Sequence, residues 1–155
     1  MVFCSIRVRI IWAIIGISAG IMAGAVFGVQ YHNYSATTLA FISSIFATLL
    51  MLLHIWYSKG KLSYWSKAKF SFVTISCLLV WIAALVGMVV CLVVAGVKGQ
   101  NLTHEGLQHE NFWITAVWCW MTFKWSMMIW WYSRIYSRDV MNPLTKSPPT
   151  PPTLD

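Results

Sequence analysis

The sequence predicts an all-α membrane protein, four transmembrane helices with both termini in the cytosol, and three observations carry that prediction. Composition comes first: the 155 residues are 59% hydrophobic and only 10% charged, with mean hydropathy +0.68, far from the balance of a soluble domain. Second, the apolar residues gather into four stretches, at about 10–29, 37–57, 70–97 and 112–132. Each is near the ~20 residues that a helix needs to cross ~30 Å of hydrocarbon. Charge placement is third. Arg7 and Arg9 precede the first stretch, Lys59, Lys61, Lys67 and Lys69 separate the second from the third, and Arg134, Arg138 and Lys146 follow the fourth. The other two loops carry only Lys98, with Glu105 and Glu110. By the positive-inside rule the termini and the middle loop face the cytosol. The net charge of +7 then faces anionic lipid and implies no nucleic-acid partner. Residues 1–141 read as one transmembrane domain, and 142–155 as a disordered, Pro-rich cytosolic tail.

In the first stretch Gly16, Gly20, Gly24 and Gly28 recur every four residues, along one ridge of a helix. Small residues there let a second backbone approach closely. That backbone belongs to another helix of the chain or to a second protomer, so a homo-oligomer through the ridge is one expectation. Arg7 and Arg9 ahead of an apolar run, with Ala23-Gly24-Ala25 behind it, also resemble a signal peptide. The run exceeds the roughly 7 to 15 residues of such a segment, and removing it would mismatch the loop charges.

The second stretch closes on Leu53-His54-Ile55-Trp56-Tyr57, and His54 is the only histidine inside any of the four. A neutral imidazole ligates iron or carries protons; the structural alternative is a histidine hydrogen-bonded to a neighbouring helix. The loop from Lys59 to Lys67, with Tyr64 and Trp65, reads as an interfacial anchor. In the third stretch Cys77 and Cys91 stand too far apart on one helix to bridge, and they read as small buried apolar side chains. Cys4 and Cys119 complete a set with no CxxC pair and no metal-ligand spacing. Cys4 is a free thiol or a palmitoylation site.

Both outer loops hold a glycosylation sequon, Asn33-Tyr34-Ser35 and Asn101-Leu102-Thr103, which agrees with the orientation and makes Asn33 and Asn101 the expected glycan sites. His104 and His109 lie in the second outer loop, where they are either solvated or a pair of imidazoles for capturing a metal or metalloporphyrin.

The fourth stretch is crowded with aromatic side chains. Those at its ends fit the interfacial belts, whereas Trp118, Trp120, Phe123 and Trp125 lie deeper, as core packing or as a wall for a flat aromatic ligand. Among them stands Lys124, and none of the four stretches contains an aspartate or glutamate. A lysine at that depth costs roughly 3 kcal/mol, so it needs a ligand's anion, a wet cavity, or a route to the cytosolic interface by snorkelling. Tyr132-Ser133-Arg134-Ile135-Tyr136 closes the helix with two phenols of the kind that ligate ferric heme and a guanidinium that matches a carboxylate; the plain alternative is a membrane anchor. The chain has no P-loop, no HExxH and no Ser/His/Asp set, so no enzyme is expected. It also lacks the intramembrane carboxylate of small multidrug exporters and the MxxxM pair of copper channels.

The run Trp118-Cys119-Trp120-Met121-Thr122-Phe123-Lys124-Trp125, the segment Tyr132 to Tyr136, the second-stretch histidine and the Asn111-Phe112-Trp113 start of the fourth together resemble the heme-responsive-gene heme transporters, small four-span eukaryotic permeases. Nematode members are the nearest in pattern, and only the tail falls outside the resemblance. It implies a heme importer in which His54 matches the second-helix histidine or tyrosine proposed as a heme ligand. Tyr132, Arg134 and Tyr136 match the terminal aromatic-Ala-Arg-Lys-Tyr motif, from which Ser133 and Ile135 depart. The family's outer histidine follows the third helix closely, where this chain has Gly99, so His104 and His109 stand in the same loop without aligning to it. On this reading heme is the transported ligand. It passes His104 or His109, then His54, then Tyr132, Arg134 and Tyr136, and Lys124 meets a propionate. Two other functions fit the residues: a non-transporting tetraspan scaffold working through the glycine ridge and the tail, and a transporter of another amphipathic anion. The plasma membrane is expected ahead of endolysosomal membranes, because the tyrosine sorting pattern Tyr132-Ser133-Arg134-Ile135 abuts the bilayer and no acidic dileucine follows it.

Overall fold

The computed structural model describes residues 5–103 and 106–142. Expectations placed on Cys4, His104, Lys146 and the tail from 143 onward lie outside the described residues. The chain forms four helices, α1 (Ile6–Val29), α2 (Tyr34–Ser58), α3 (Lys67–Val97) and α4 (Phe112–Met141), with a short 3-10 turn over Lys61–Tyr64. Among the described residues there is no strand.

Local chemistry sets the helix starts. Asn33 Oδ1 accepts from the Ala36 amide at 3.0 Å, Ser66 Oγ from Lys69 at 3.3 Å, and Asn111 Oδ1 from Trp113 at 3.0 Å, each satisfying an amide the first turn leaves free. After α2 and α3 the chain leaves through Gly60 and Gly99, at φ +66° and +59°, a left-handed conformation that glycine enters without a Cβ clash. α4 runs well past 132, because no Gly or Pro interrupts it before Pro143.

α1 packs on α2, α2 on α4, and α4 on α3. α4 therefore threads the bundle, with buried residues from Thr115 to Tyr136, while α3 buries only Phe70, Cys77 and Ala95. The rest of α3 presents apolar side chains outward, among them Ile75, Leu79, Val86 and Val93, a surface suited to lipid and not to water. Three helices, α1, α2 and α3, are long and apolar enough to cross a membrane. α4 is as long, but its tryptophans, hydroxyl residues and Lys124 lower its hydropathy. Its buried hydroxyls turn inward on the helix: Thr122 Oγ1 donates to the Trp118 carbonyl at 2.9 Å and Ser126 Oγ to that of Thr122 at 2.7 Å, so neither needs water.

The glycine ridge finds its partners within the chain. A Cβ on Gly16 would collide with the Trp125 ring, and one on Gly20 with Ser44 Oγ and the Ala40 carbonyl. On Gly24 it would meet Phe41 at 2.9 Å and on Gly28 Thr37 Oγ1 at 3.2 Å. Of the two partners the sequence leaves open for the ridge, another helix of the chain or a second protomer, α2 and Trp125 of the same chain fill it.

Candidate functional site

α2 and α4 are parallel neighbours, since Asn33 and Asn111 meet at their starts and His54 and Tyr136 meet near their ends. This brings one face of each helix together beside the basic middle loop. His54 is 0% exposed, and its Nδ1 lies 2.7 Å from Tyr136 Oη, with the proton on either atom. The Tyr132 ring meets the imidazole edge-on at 4.7 Å between centroids. Tyr57 stacks on Tyr136 at 3.7 Å and 10°, and its hydroxyl donates to Asp139 Oδ2 at 3.1 Å.

The first turns of α1 complete the cluster. Arg9 Nη1 donates to Tyr136 Oη at 3.3 Å, and the guanidinium carbon lies 4.7 Å from the Tyr132 ring centroid. His54 Nε2 and Arg9 Nε are both buried without a hydrogen-bond partner. An orphaned buried donor or acceptor costs about 1–3 kcal/mol, so each calls for an explanation, as do Ser43 Oγ, Trp81 Nε1, Trp125 Nε1 and Glu110 Oε2, which share that state.

Deeper along the same seam, Lys124 Nζ sits 4.3 Å from the Trp125 ring centroid and 5.9 Å from that of Trp12. Both contacts are of the cation–π kind. Trp125 fills the recess at Gly16, so α1 and α4 are bridged by long side chains. The carboxylates among the described residues are Asp139 and Glu110. Asp139 is bonded to Tyr57, and Glu110 Oε1 accepts from the Tyr34 and Ser35 amides at the opposite end of the bundle, at 3.0 and 3.2 Å. Neither Arg9 nor Lys124 therefore has an anion beside it.

The structure joins His54, Tyr132 and Tyr136 but separates Arg134 from them. Arg134 is exposed, and its guanidinium lies 4.9 Å over Trp130 in a groove toward α3. Arg9 holds the place expected of Arg134. The sequence read Arg9 only as an orientation charge, although its spacing of seven from Gly16, two helical turns, puts both on one face.

At the opposite end of the bundle, the His109 amide donates to the Tyr31 carbonyl at 2.7 Å and joins the α1–α2 and α3–α4 loops. His109 is exposed, as is His32 in the first loop, a histidine that the sequence reading passed over. Asn33 is 0% exposed; its Nδ2 donates to the Asn111 carbonyl at 3.2 Å while its Oδ1 caps α2. Both amide atoms of Asn33 are thus engaged inside the fold, unlike the exposed side chain expected of a glycan site. Asn101 is exposed, its Oδ1 accepting from Thr103 Oγ1 at 2.7 Å. Nearby, Met88 and Leu92 of α3 face Trp113, Ala116 and Trp120 of α4 across an apolar groove of about 500 Å³.

The family model described as "Haem-transporter, endosomal/lysosomal, haem-responsive gene" matches residues 76–125, a segment holding most of α3 and the tryptophan run around Lys124. Over 134 residues the chain is 45% identical to Heme transporter hrg-1 of Caenorhabditis elegans, covering 86% of this chain and 69% of that protein. The chain belongs to the heme-responsive-gene family. Two further Caenorhabditis elegans members of similar sequence, Heme transporter hrg-4 and Heme transporter hrg-5, are each 26% identical over 90% of this chain and over 82% and 84% of their own lengths. No solved structure matches. In this heme-responsive-gene chain the family-model segment ends at Trp125, so His54, Arg9 and the two tyrosines lie outside it.

Proposed function

We propose that the chain transports heme from the outer or luminal side into the cytosol, with α4 crossing the membrane at the heart of the bundle. The observation that carries this reading is the α1–α4 seam: an imidazole with an unpartnered Nε2 and two tyrosines stand there with two cations that no carboxylate among the described residues neutralises. Heme presents a flat apolar face, an iron that takes axial N or O ligands, and two anionic propionates. His54 and the tyrosines supply axial ligands, Trp12 supplies an exposed apolar face, and Arg9 and Lys124 answer the two propionates. The relatives' names supply the ligand; the seam supplies its chemistry.

With Tyr57, Tyr132 and Tyr136 packed around His54, the cytosolic end is closed, and heme reaches Nε2 when the Tyr136–Arg9 contact opens. Such a contact, worth about 1 kcal/mol, is strong enough to hold the end shut and weak enough to yield to a ligand. On the outer side His109, with His104 in the same loop, captures heme, and the groove beside Trp113 and Trp120 receives its apolar face. Binding stays moderate at each station because conduction requires release as well as entry. No bond of heme is made or broken, so the protein is not an enzyme. The family description names endosomal and lysosomal membranes, and we take these in place of the plasma membrane. The glycan, on this reading, is on Asn101.

The test is growth of a heme-auxotrophic host on limiting heme, with uptake of a fluorescent porphyrin measured alongside. Arg9→Gln and His54→Ala are expected to lower both at least about tenfold at equal membrane expression, since each removes one of the interactions that hold a propionate or the iron, roughly 1.4 kcal/mol apiece. Parental growth in both variants would overturn the seam. Absence of any heme-dependent growth in the parent would return the chain to the scaffold reading, and uptake that excess hemin fails to suppress would make heme the wrong anion.

A further inference from the structure

We infer that the cytosolic end carries a second anion site, a groove for the phosphorylated headgroup of an anionic phospholipid. It lies where the first turns of α3 pass the last turns of antiparallel α4, has a volume of about 320 Å³, and is lined by Lys67, Ser71, Thr74, Arg134, Ser137 and Arg138. Helical spacing assembles it: Lys67, Ser71 and Thr74 fall on one face of α3, and Arg134 and Arg138 on one face of α4. Three cations and three hydroxyls line the groove, and among the described residues no carboxylate does. The one carboxylate near in sequence, Asp139, points to Tyr57.

The groove has a fixed floor. Thr74 Oγ1 and Ser133 Oγ lie 2.8 Å apart, and the Arg134 guanidinium rests over Trp130, whose ring stacks on Trp81 at 5.7 Å. Crowding three like charges is unfavourable unless an anion sits between them. A phosphomonoester brings close to two charges and three acceptor oxygens. The groove also opens onto the stripe Ile75, Leu79 and Ile82, exposed along α3, where an acyl chain would lie. Basic pockets between spans on the cytoplasmic side are of the kind that hold such headgroups. The inference does not depend on heme, because Arg134 faces α3 while the His54 seam faces α1 and α2.

The experiment uses the full chain in neutral phosphatidylcholine nanodiscs, titrated with short-chain phosphatidylinositol 4,5-bisphosphate and followed by native mass spectrometry and thermal shift. Saturable binding is expected, weakened about 100-fold in K67Q/R134Q/R138Q, since each basic residue near a charged surface contributes about fivefold. R138Q alone, at an exposed position, is expected to weaken binding about fivefold and guards against misfolding of the triple variant. K59Q/K61Q, outside the groove, is expected to bind like the parent. Short-chain phosphatidylserine and inorganic phosphate are expected to bind more weakly than the bisphosphate lipid. The inference is overturned if R138Q and the triple variant bind as the parent does, or if K59Q/K61Q loses as much. It is equally overturned if inorganic phosphate binds as well as lipid, which makes the site one for free anions, or if hemin displaces the lipid, which assigns the groove to porphyrin carboxylates.

Discussion

Tyr136 Oη stands 2.7 Å from His54 Nδ1, across 82 residues of chain, and the same oxygen accepts from Arg9 at 3.3 Å. One phenol thus ties α1, α2 and α4 together beside the basic middle loop. Tyr136→Phe keeps the stack on Tyr57 and removes only this tie, so a loss of about 1–2 kcal/mol is expected, seen as a melting temperature a few degrees lower in detergent. Faster porphyrin release into the cytosol should accompany it. An unchanged melting temperature would show that the tie contributes nothing.

Lys124 is expected to act through its charge. Lys124→Met should lower uptake of heme about tenfold, the loss of one charge-assisted contact of roughly 1.5 kcal/mol, and Lys124→Arg should keep most of it because a guanidinium retains the contact with Trp125. A porphyrin whose propionates are methyl esters should not distinguish Lys124→Met from the parent. If it does, the lysine serves packing and not a carboxylate.

Gly16 should be intolerant of any side chain. Its missing Cβ is where Trp125 sits, and overpacking a fitted site costs about 1–3 kcal/mol. Gly16→Val is therefore expected to reduce thermal stability, whereas Gly96→Ala, with nothing within 4 Å of the added carbon, should leave it equal or raise it slightly. Equal stability of Gly16→Val and the parent would contradict the packing.

The two sequons should separate on a gel. Asn101→Gln is expected to abolish the mobility shift that a glycosidase removes, and Asn33→Gln to leave the shift in place while costing about 1 kcal/mol through the lost helix cap. A glycan retained in Asn101→Gln would mean that Asn33 is presented to the transferase before the fold closes.

Much of this was legible in the sequence. The four apolar stretches became four helices, Asn33, Ser66 and Asn111 cap them, and the spacing of four between Tyr132 and Tyr136 puts both on the face that meets His54. That spacing also argues against Arg134, which lies two residues from each and so about 160–200° around the helix. The resemblance to a family motif drew the three together where periodicity alone would have parted them. Arg9 was hidden for another reason. A positive residue at the start of a span already has an explanation in topology, and only the tertiary approach of α1 to α4 reveals a second. The partner of the glycine ridge and the burial of Asn33 likewise depend on which helices become neighbours, and hydropathy does not encode that.

The outer clasp has a mechanical consequence. Asn33 to Asn111, Glu110 to the first amides of α2, and the His109 amide to Tyr31 staple the α1–α2 loop to the start of α4 through several short bonds, whereas at the other end α1 is held through Arg9, on Tyr136 and Tyr132. If the chain moves heme as proposed, a bundle pinned so unequally opens like a pair of tongs, pivoting at the α1–α2 and α3–α4 loops and parting at the other end. Cargo would then leave where the tips of α1 and α4 separate.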